Sequence, residues 1–202
     1  MTAAQTIGFI GLGAMASRMA VNLGKAGYKT VAYTPSGKGG NGDTPFLATA
    51  AEVARAADII LVCVPDDEAL ETCMYGEQGT FAGMKSGGLV LNTSSVSPEA
   101  TQALFEEGQR LGITVIDCPV SGSTPEAEAA ALLVLVGRDD AAMHRAKPVF
   151  AAFARLFEHA CPARRRARSH PVIYPLIGVG QAPPALATPS PQYAAPVRPL
   201  PV

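Results

Sequence analysis

Gly11, Gly13 and Ala16 stand at the spacing G-x-G-x-x-A in the run GFIGLGAMA. Chemistry from such residues belongs to the backbone. A glycine at position 11 permits a tight turn, one at 13 lets a pyrophosphate approach the main chain, and the small Ala16 lets a helix pack closely on a strand. Alone the pattern is weak. Here it follows the apolar run Ile7 to Ile10 and opens an amphipathic stretch, Ala14 to Ala26, with Met15, Met19 and Leu23 at i, i+4 and i+8. That context marks a dinucleotide-binding turn, in which the helix start offers N–H groups and a positive dipole end to phosphates.

The end of the next apolar run discriminates between dinucleotides. An acid there would bind a ribose 2′-hydroxyl and repel a 2′-phosphate. The chain instead has Thr34, Pro35, Ser36, Gly37 and Lys38, and no carboxylate until Asp43. Thr34, Ser36 and Lys38 therefore point to NADP over NAD, with a plain solvated loop charge as the other reading of Lys38. The GKGG here is not a P-loop, because Gly39 stands where Ser or Thr should follow the lysine. Further along, Val64-Pro65-Asp66-Asp67, Asn92-Thr93-Ser94-Ser95 and Asp117-Cys118-Pro119-Val120-Ser121-Gly122-Ser123 each close an apolar run. Ligands sit beyond the carboxyl ends of parallel strands, so these segments should line a crevice. Hydroxyls at 93–95 are suited to a nicotinamide ribose or, alternatively, to turn formation. Ser121 with adjacent N–H groups is suited to a carboxylate. Asp117 reads as structural.

These segments need elements to hold them. The pattern predicts strands at Ile7–Ile10, Tyr28–Tyr33, Ile59–Val64, Leu89–Leu91, Ile113–Ile116 and Leu132–Val136. Helices are predicted at Ala14–Ala26, Ala50–Ala57, Pro98–Leu111 and, interrupted near Pro148, Asp140–Leu156. Ser97, Pro98 and Glu99 give N-cap, N1 and first-turn acid, and Gly112 lies beyond the helix end. Thr124 and Pro125 look like the cap and first residue of another helix. Strands alternating with helices imply an α/β fold with a doubly wound, mostly parallel sheet.

Composition divides the 202 residues in two. Hydrophobic residues make up 48% and charged residues 16%, as in a globular chain. Residues 1–160 carry a net charge of −6, whereas 161–202 carry five arginines and no acid, and hold ten of the 17 prolines. We expect a dinucleotide-binding domain over 1–160 and a disordered or irregular Pro/Arg-rich tail over 161–202, a natural Pro-rich linker being the alternative. A net charge of −1 argues against nucleic acid, and no apolar run approaches the roughly 20 residues of a membrane helix. The N-terminus lacks a basic n-region, so a cytoplasmic protein is expected. Cys63, Cys73, Cys118 and Cys161 show no C-x-x-C spacing, and His144, His159 and His170 form no ligand cluster. Reduced thiols are expected, and no metal.

Taken in order, IGFIGLGAMASRMAVNLGKAGY, CVPDD, NTSSVSPEA and DCPVSGS resemble the β-hydroxyacid dehydrogenases, among them 3-hydroxyisobutyrate dehydrogenase and tartronate semialdehyde reductase. The resemblance covers about residues 5–160. A 6-phosphogluconate dehydrogenase would show Gly-Gly-Asn-Ser where Asn92 to Ser95 stand, and imine reductases lack the V-S-G of Val120 to Gly122. The resemblance implies a Rossmann NAD(P) domain followed by a helical domain that often completes a dimer. It implies hydride transfer to or from a small β-hydroxy acid or semialdehyde acid. By the same resemblance Gly11, Leu12, Gly13, Ala14 and Met15 hold the pyrophosphate, and Val64, Pro65, Ala69 and Ser95 approach the cofactor's ribose and nicotinamide end. Ser121, Gly122 and the N–H of Ser123 would hold the substrate carboxylate.

The departures bear on activity. Ala16, Ser123 and Glu126 replace usual glycines, and Glu126 brings negative charge to the carboxylate site. The family's acid–base lysine, followed four residues later by asparagine, sits on an interdomain helix, and no lysine occurs here after Lys147. Near Ala160 a Gly-Pro-x-Gly-x-Gly turn is expected, but the chain reads Cys161-Pro162-Ala163-Arg164-Arg165-Arg166. A one-base shift in GC-rich DNA converts glycine and alanine codons to arginine, proline and alanine. The expectation is a frameshifted or mis-spliced tail on a truncated dehydrogenase, with no catalytic residue and no family dimer interface. Three readings remain open: an oxidoreductase whose acid–base group comes from elsewhere, a dinucleotide-binding module without catalysis, and a nonfunctional fragment.

Overall fold

The computed structural model describes residues 5–37, 39–40, 44–137 and 142–159. Five strands form a parallel sheet: β1 (Thr6–Ile10), β2 (Lys29–Tyr33), β3 (Ile59–Val62), β4 (Leu89–Asn92) and β5 (Thr114–Asp117), in the order β2-β1-β3-β4-β5. Between them run α1 (Ala14–Lys25), α2 (Ala50–Ala56), α3 (Asp67–Met74), α4 (Thr80–Gly83) and α5 (Pro98–Leu111). The alternation of side chains along each strand accounts for helices on both faces. Ile7, Phe9, Leu61, Leu91 and Ile116 pack on one face with Met19 and Leu23 of α1. Ile10, Ile60, Val62, Val90 and Val115 pack on the other with Val53, Leu70 and Leu104. The architecture is the doubly wound α/β fold.

Local signals set the helix ends. Gly27 adopts φ +91° after α1, and the Tyr28 N–H returns to the Leu23 carbonyl at 3.0 Å, which closes the helix. Ser97 caps α5 by accepting from the Ala100 N–H at 3.1 Å, and Gly112 ends it at φ +68°. No helix among the described residues is long and apolar enough to cross a membrane.

Four expectations need correction. Leu132–Val136, β7, does not extend the large sheet. It joins a second sheet, order β6-β7-β8, with β6 (Val120–Ser121) antiparallel and β8 (Ala154–His159) parallel to it. The chain leaves β5 through Cys118 and Pro119, and Pro119 has no N–H to continue a ladder. The helix expected over Asp140–Leu156 is α7 (Met143–Phe153), which runs through Pro148 without interruption and stops where Ala154 begins to pair with β7. The cap expected at Thr124 belongs to Ser123, because α6 (Thr124–Glu128) starts one residue earlier. Helices α3 and α4 were not expected at all. Lys38, Cys161, His170 and the segment 161–202 lie outside the described residues.

Candidate functional site

The turn after β1 carries the most constrained backbone of the site. Gly11 adopts φ +87°, and a Cβ placed on it would run into the Cys63 carbonyl oxygen at the end of β3. Its N–H donates to the Tyr33 carbonyl at the end of β2 at 2.9 Å. Three strand ends therefore meet at one glycine, which only a residue without a side chain permits. β1 lies between β2 and β3, and the chain turns from one side of β1 to the other, so this is the switch point where ligands bind in open α/β sheets.

Gly13, the N-cap of α1, is different. It is exposed, with nothing within 4 Å of where a Cβ would stand. It lends α1 no side-chain cap, and the first turn contains no acid. The missing Cβ of Gly13 thus opens onto free space at the positive dipole end, while deeper in the turn the Ala16 backbone is engaged with the Cys63 thiol. Ala14 is exposed and Met15 half-buried beside Gly13, while Leu12 and Ala16 are buried beneath. The loop after β2 folds back on this turn: the Gly40 N–H donates to the Leu12 carbonyl at 3.1 Å. Gly37 donates to the Thr34 carbonyl at 3.0 Å, which makes a turn carrying Thr34, half-buried, and Ser36, exposed.

Across the switch point, Val64 is buried, Pro65 exposed and Ala69 half-buried. Asp66 caps α3 by accepting from the Ala69 N–H at 2.8 Å. The hydroxyls of the 92–95 segment divide. Thr93 donates to the Val62 carbonyl at 2.7 Å, and Ser94 accepts from the Val64 N–H at 3.0 Å, both buried. Ser95 alone is exposed.

Ser121, Gly122 and Ser123 are exposed beyond β5. The Ser123 N–H is already engaged: it donates to Glu126 Oε2 at 2.9 Å, and the Ser123 hydroxyl makes a second, very short bond to the same oxygen. These bonds, hydroxyl first, hold the Glu126 carboxyl below the ordinary carboxylate range. α6 is tied to α1 by Asn22, whose Nδ2 donates to the Ala127 carbonyl at 2.8 Å. This clamp was not read from the sequence, though an asparagine three residues after Met19 on a buried stripe was a visible signal. Burial raises the thiols of Cys63 and Cys73, and raises Cys118 well above its usual value with the help of the Asp117 charge. Such thiols are poor nucleophiles. No group of three or more metal-ligating side chains occurs among the described residues.

The model of the NAD binding domain of 6-phosphogluconate dehydrogenase matches residues 6–163. The chain belongs to this family.

Among individual relatives, 2-(hydroxymethyl)glutarate dehydrogenase of Eubacterium barkeri is 36% identical, over 76% of this chain and 52% of its own length. 2-Hydroxy-3-oxopropionate reductase of Escherichia coli is 36% identical, over 71% of this chain and 50% of its own. Among solved structures, Mycobacterium tuberculosis 3-hydroxyisobutyrate dehydrogenase with L-serine superposes with a TM-score of 0.69 at 27% identity, covering 78% of this chain and 54% of that one. The chain spans about half the length of the curated relatives it matches. In this NAD(P)-binding domain the Gly11 turn lies against Cys63 and Val64. Thr34 and Ser36 lie on the loop tied to the same turn.

Proposed function

We propose that this chain binds NADP(H) through Gly11 to Met15, Thr34 and Ser36, as the nucleotide-binding part of an oxidoreductase of the 3-hydroxyisobutyrate dehydrogenase type. The observation that carries this is the pair of glycines at the switch point, one pressed against the Cys63 carbonyl and one open before an uncapped helix start. That cradle fits a pyrophosphate, and a Cβ at either position would spoil it. A bound nicotinamide would donate or accept hydride. For the chain's own residues, the N–H groups of α1 hold the diphosphate, and Val64, Pro65, Ala69 and Ser95 flank the nicotinamide half. The absence of any acid between Tyr33 and Asp43 supports NADP over NAD, and Lys38 would add a positive charge to the 2′-phosphate.

The substrate side is a small hydroxy acid or semialdehyde acid held by Ser121, Gly122 and Ser123. A substrate carboxylate must displace Glu126 from the Ser123 N–H, which weakens this subsite. By the resemblance, the acid–base lysine follows the matched segment, and no lysine follows Lys147. The matched segment is therefore read as the cofactor-binding part of a dehydrogenase, which by the resemblance takes its acid–base group from outside that segment. Titrating NADPH and NADH against protein and nicotinamide fluorescence tests the cofactor reading. Saturable binding with NADPH the tighter is expected. Tighter NADH sinks the NADP assignment, and no binding of either sinks the function.

A further inference from the structure

Four residues, Asp117, Asn92, Ser94 and Val64, form one buried line across three strand ends. Asn92 Nδ2, at the end of β4, donates to Asp117 Oδ1 at the end of β5 at 3.2 Å. Asn92 Oδ1 accepts from the Ser94 N–H at 3.2 Å. Ser94 Oγ accepts from the Val64 N–H, past the end of β3, at 3.0 Å. The strands themselves run in register here, Asn92 opposite Asp117 and opposite Val62. Asn92 is fully buried, and Ser94 and Asp117 are nearly so.

The chemistry leaves little freedom in the middle of this line. A carboxylate on one side requires a donor, and a backbone N–H on the other requires an acceptor. A carboxamide offers both, so its orientation is fixed by its partners. An aspartate at 92 would face Asp117 charge to charge, and a leucine would strip both Asp117 and the Ser94 N–H of a partner. Without Ser94 Oγ, the Val64 N–H would lose its acceptor just where the chain bends from β3 into the exposed Pro65.

We propose that Asn92 and Ser94 are positioning residues that fix the Val64–Pro65 bend for the nicotinamide half of the dinucleotide, and couple it to the segment leading from Asp117 to Ser121. The proposal rests on the function proposed above. It assigns the two residues no contact with cofactor. It predicts that loosening the line affects the nicotinamide half most: the Cys63–Val64 peptide that Ser94 holds also abuts Gly11, but Gly13 and the start of α1, which serve the diphosphate, take no part in the line.

The test compares the tighter of NADPH and NADH with its nicotinamide-free part, adenosine 2′,5′-bisphosphate or ADP-ribose, on the full chain. Ser94→Ala should weaken the dinucleotide about tenfold, the worth of one buried hydrogen bond. It should leave the nicotinamide-free ligand within about twofold, and Ser94→Thr should restore the hydroxyl's effect. Equal weakening of both ligands would mean a merely structural role, and no weakening of either would mean no role. Both results overturn the proposal. Should Ser94→Ala not fold, amide resonances of the parent protein decide. The Val64 N–H should shift with the dinucleotide and not with the nicotinamide-free ligand, and a Val64 N–H unmoved by the dinucleotide overturns the proposal. A parent protein that binds no dinucleotide removes the function reading and this one together. A parent that binds normally beside an unaffected Ser94→Ala removes this one alone.

Discussion

At the scale of single residues, the two glycines of the first turn should separate stability from binding. Gly11 sits at φ +87° with the Cys63 carbonyl where a Cβ would go. Gly11→Ala must strain the backbone and push β3 away, so a loss of about 2 kcal/mol or more is expected, a melting temperature lower by roughly 4–8 °C. Gly13 has φ −72° and empty space around its missing Cβ. Gly13→Ala should melt only a few degrees below the parent, since no strain mechanism applies and the cost is that of a poorer N-cap residue. It should nevertheless weaken NADPH at least about tenfold, because a methyl would occupy the path of the pyrophosphate to the backbone. Thermal melts and NADPH titrations on both variants check this, and a Gly13→Ala protein that binds normally would move the diphosphate elsewhere. The tight turn at Gly11 was legible in the sequence because it follows from spacing and the absence of a side chain. The roles of Asn22, Asn92 and Ser94 were not, since each depends on a partner that only the folded chain brings near. Asn22 meets a carbonyl 105 positions away.

Elements whose ends are set locally were read well, and those set by distant pairing were not. Ser97-Pro98-Glu99 and Gly112 carry their own instructions, and α5 spans the residues they specify. The same kind of signal stood unread at Asp66, which caps α3. β8 is another matter. Ala154–His159 continues the apolar rhythm of α7, with Phe150, Phe153 and Phe157 in ring contact, and becomes a strand because β7 offers it a parallel ladder. The cap of α5 has a further partner: Asp67 on α3 accepts from the Ser97 N–H at 2.8 Å. The Ser97 hydroxyl and N–H hold the Asp67 carboxyl below the ordinary range. A depressed carboxyl stabilises the fold above its unfolded pKa, and the gain is lost as pH falls through the folded value. Asp67→Asn should therefore melt below the parent at pH 7, and the gap should close as pH is lowered below about 4. Ser97→Ala should cost about 1 kcal/mol through the lost cap. A gap between Asp67→Asn and parent that stays constant down to pH 2 would show that the charge plays no part.

On the scale of the whole molecule, binding a dinucleotide and moving a proton make different demands on the sequence. Every residue assigned to the dinucleotide lies between positions 11 and 95. The folding of this part draws on the five-stranded sheet and the helices on its two faces, each supported by its own apolar cluster. Later residues complete one of these clusters, since Ala127, Leu132, Met143, Phe150 and Phe153 pack in the cluster that contains Met19 and Leu23 of α1. Proton transfer to the reacting carbon is a separate requirement. General acid–base catalysis needs a titratable group within hydrogen-bond reach of the substrate oxygen. Among the described residues the acids nearest in sequence to Ser121–Ser123 are Asp117, buried and bonded to Asn92, Glu126, held below the ordinary carboxylate range by the Ser123 hydroxyl and N–H, and Glu128, which pairs with Arg18 at 3.8 Å. Each is already engaged with another group. The 202-residue chain should consequently show the stability signature of a ligand and none of catalysis. NADPH at a hundred times its Kd should add about 2.7 kcal/mol to unfolding. With a small semialdehyde acid present, the NADPH absorbance should stay flat over hours. A rise in melting temperature with steady NADPH consumption would mean that some group in this chain moves the proton, and Glu126→Gln and Asp117→Asn would be the first variants to trace it. Stabilisation with no consumption would leave this chain binding the dinucleotide without turning it over.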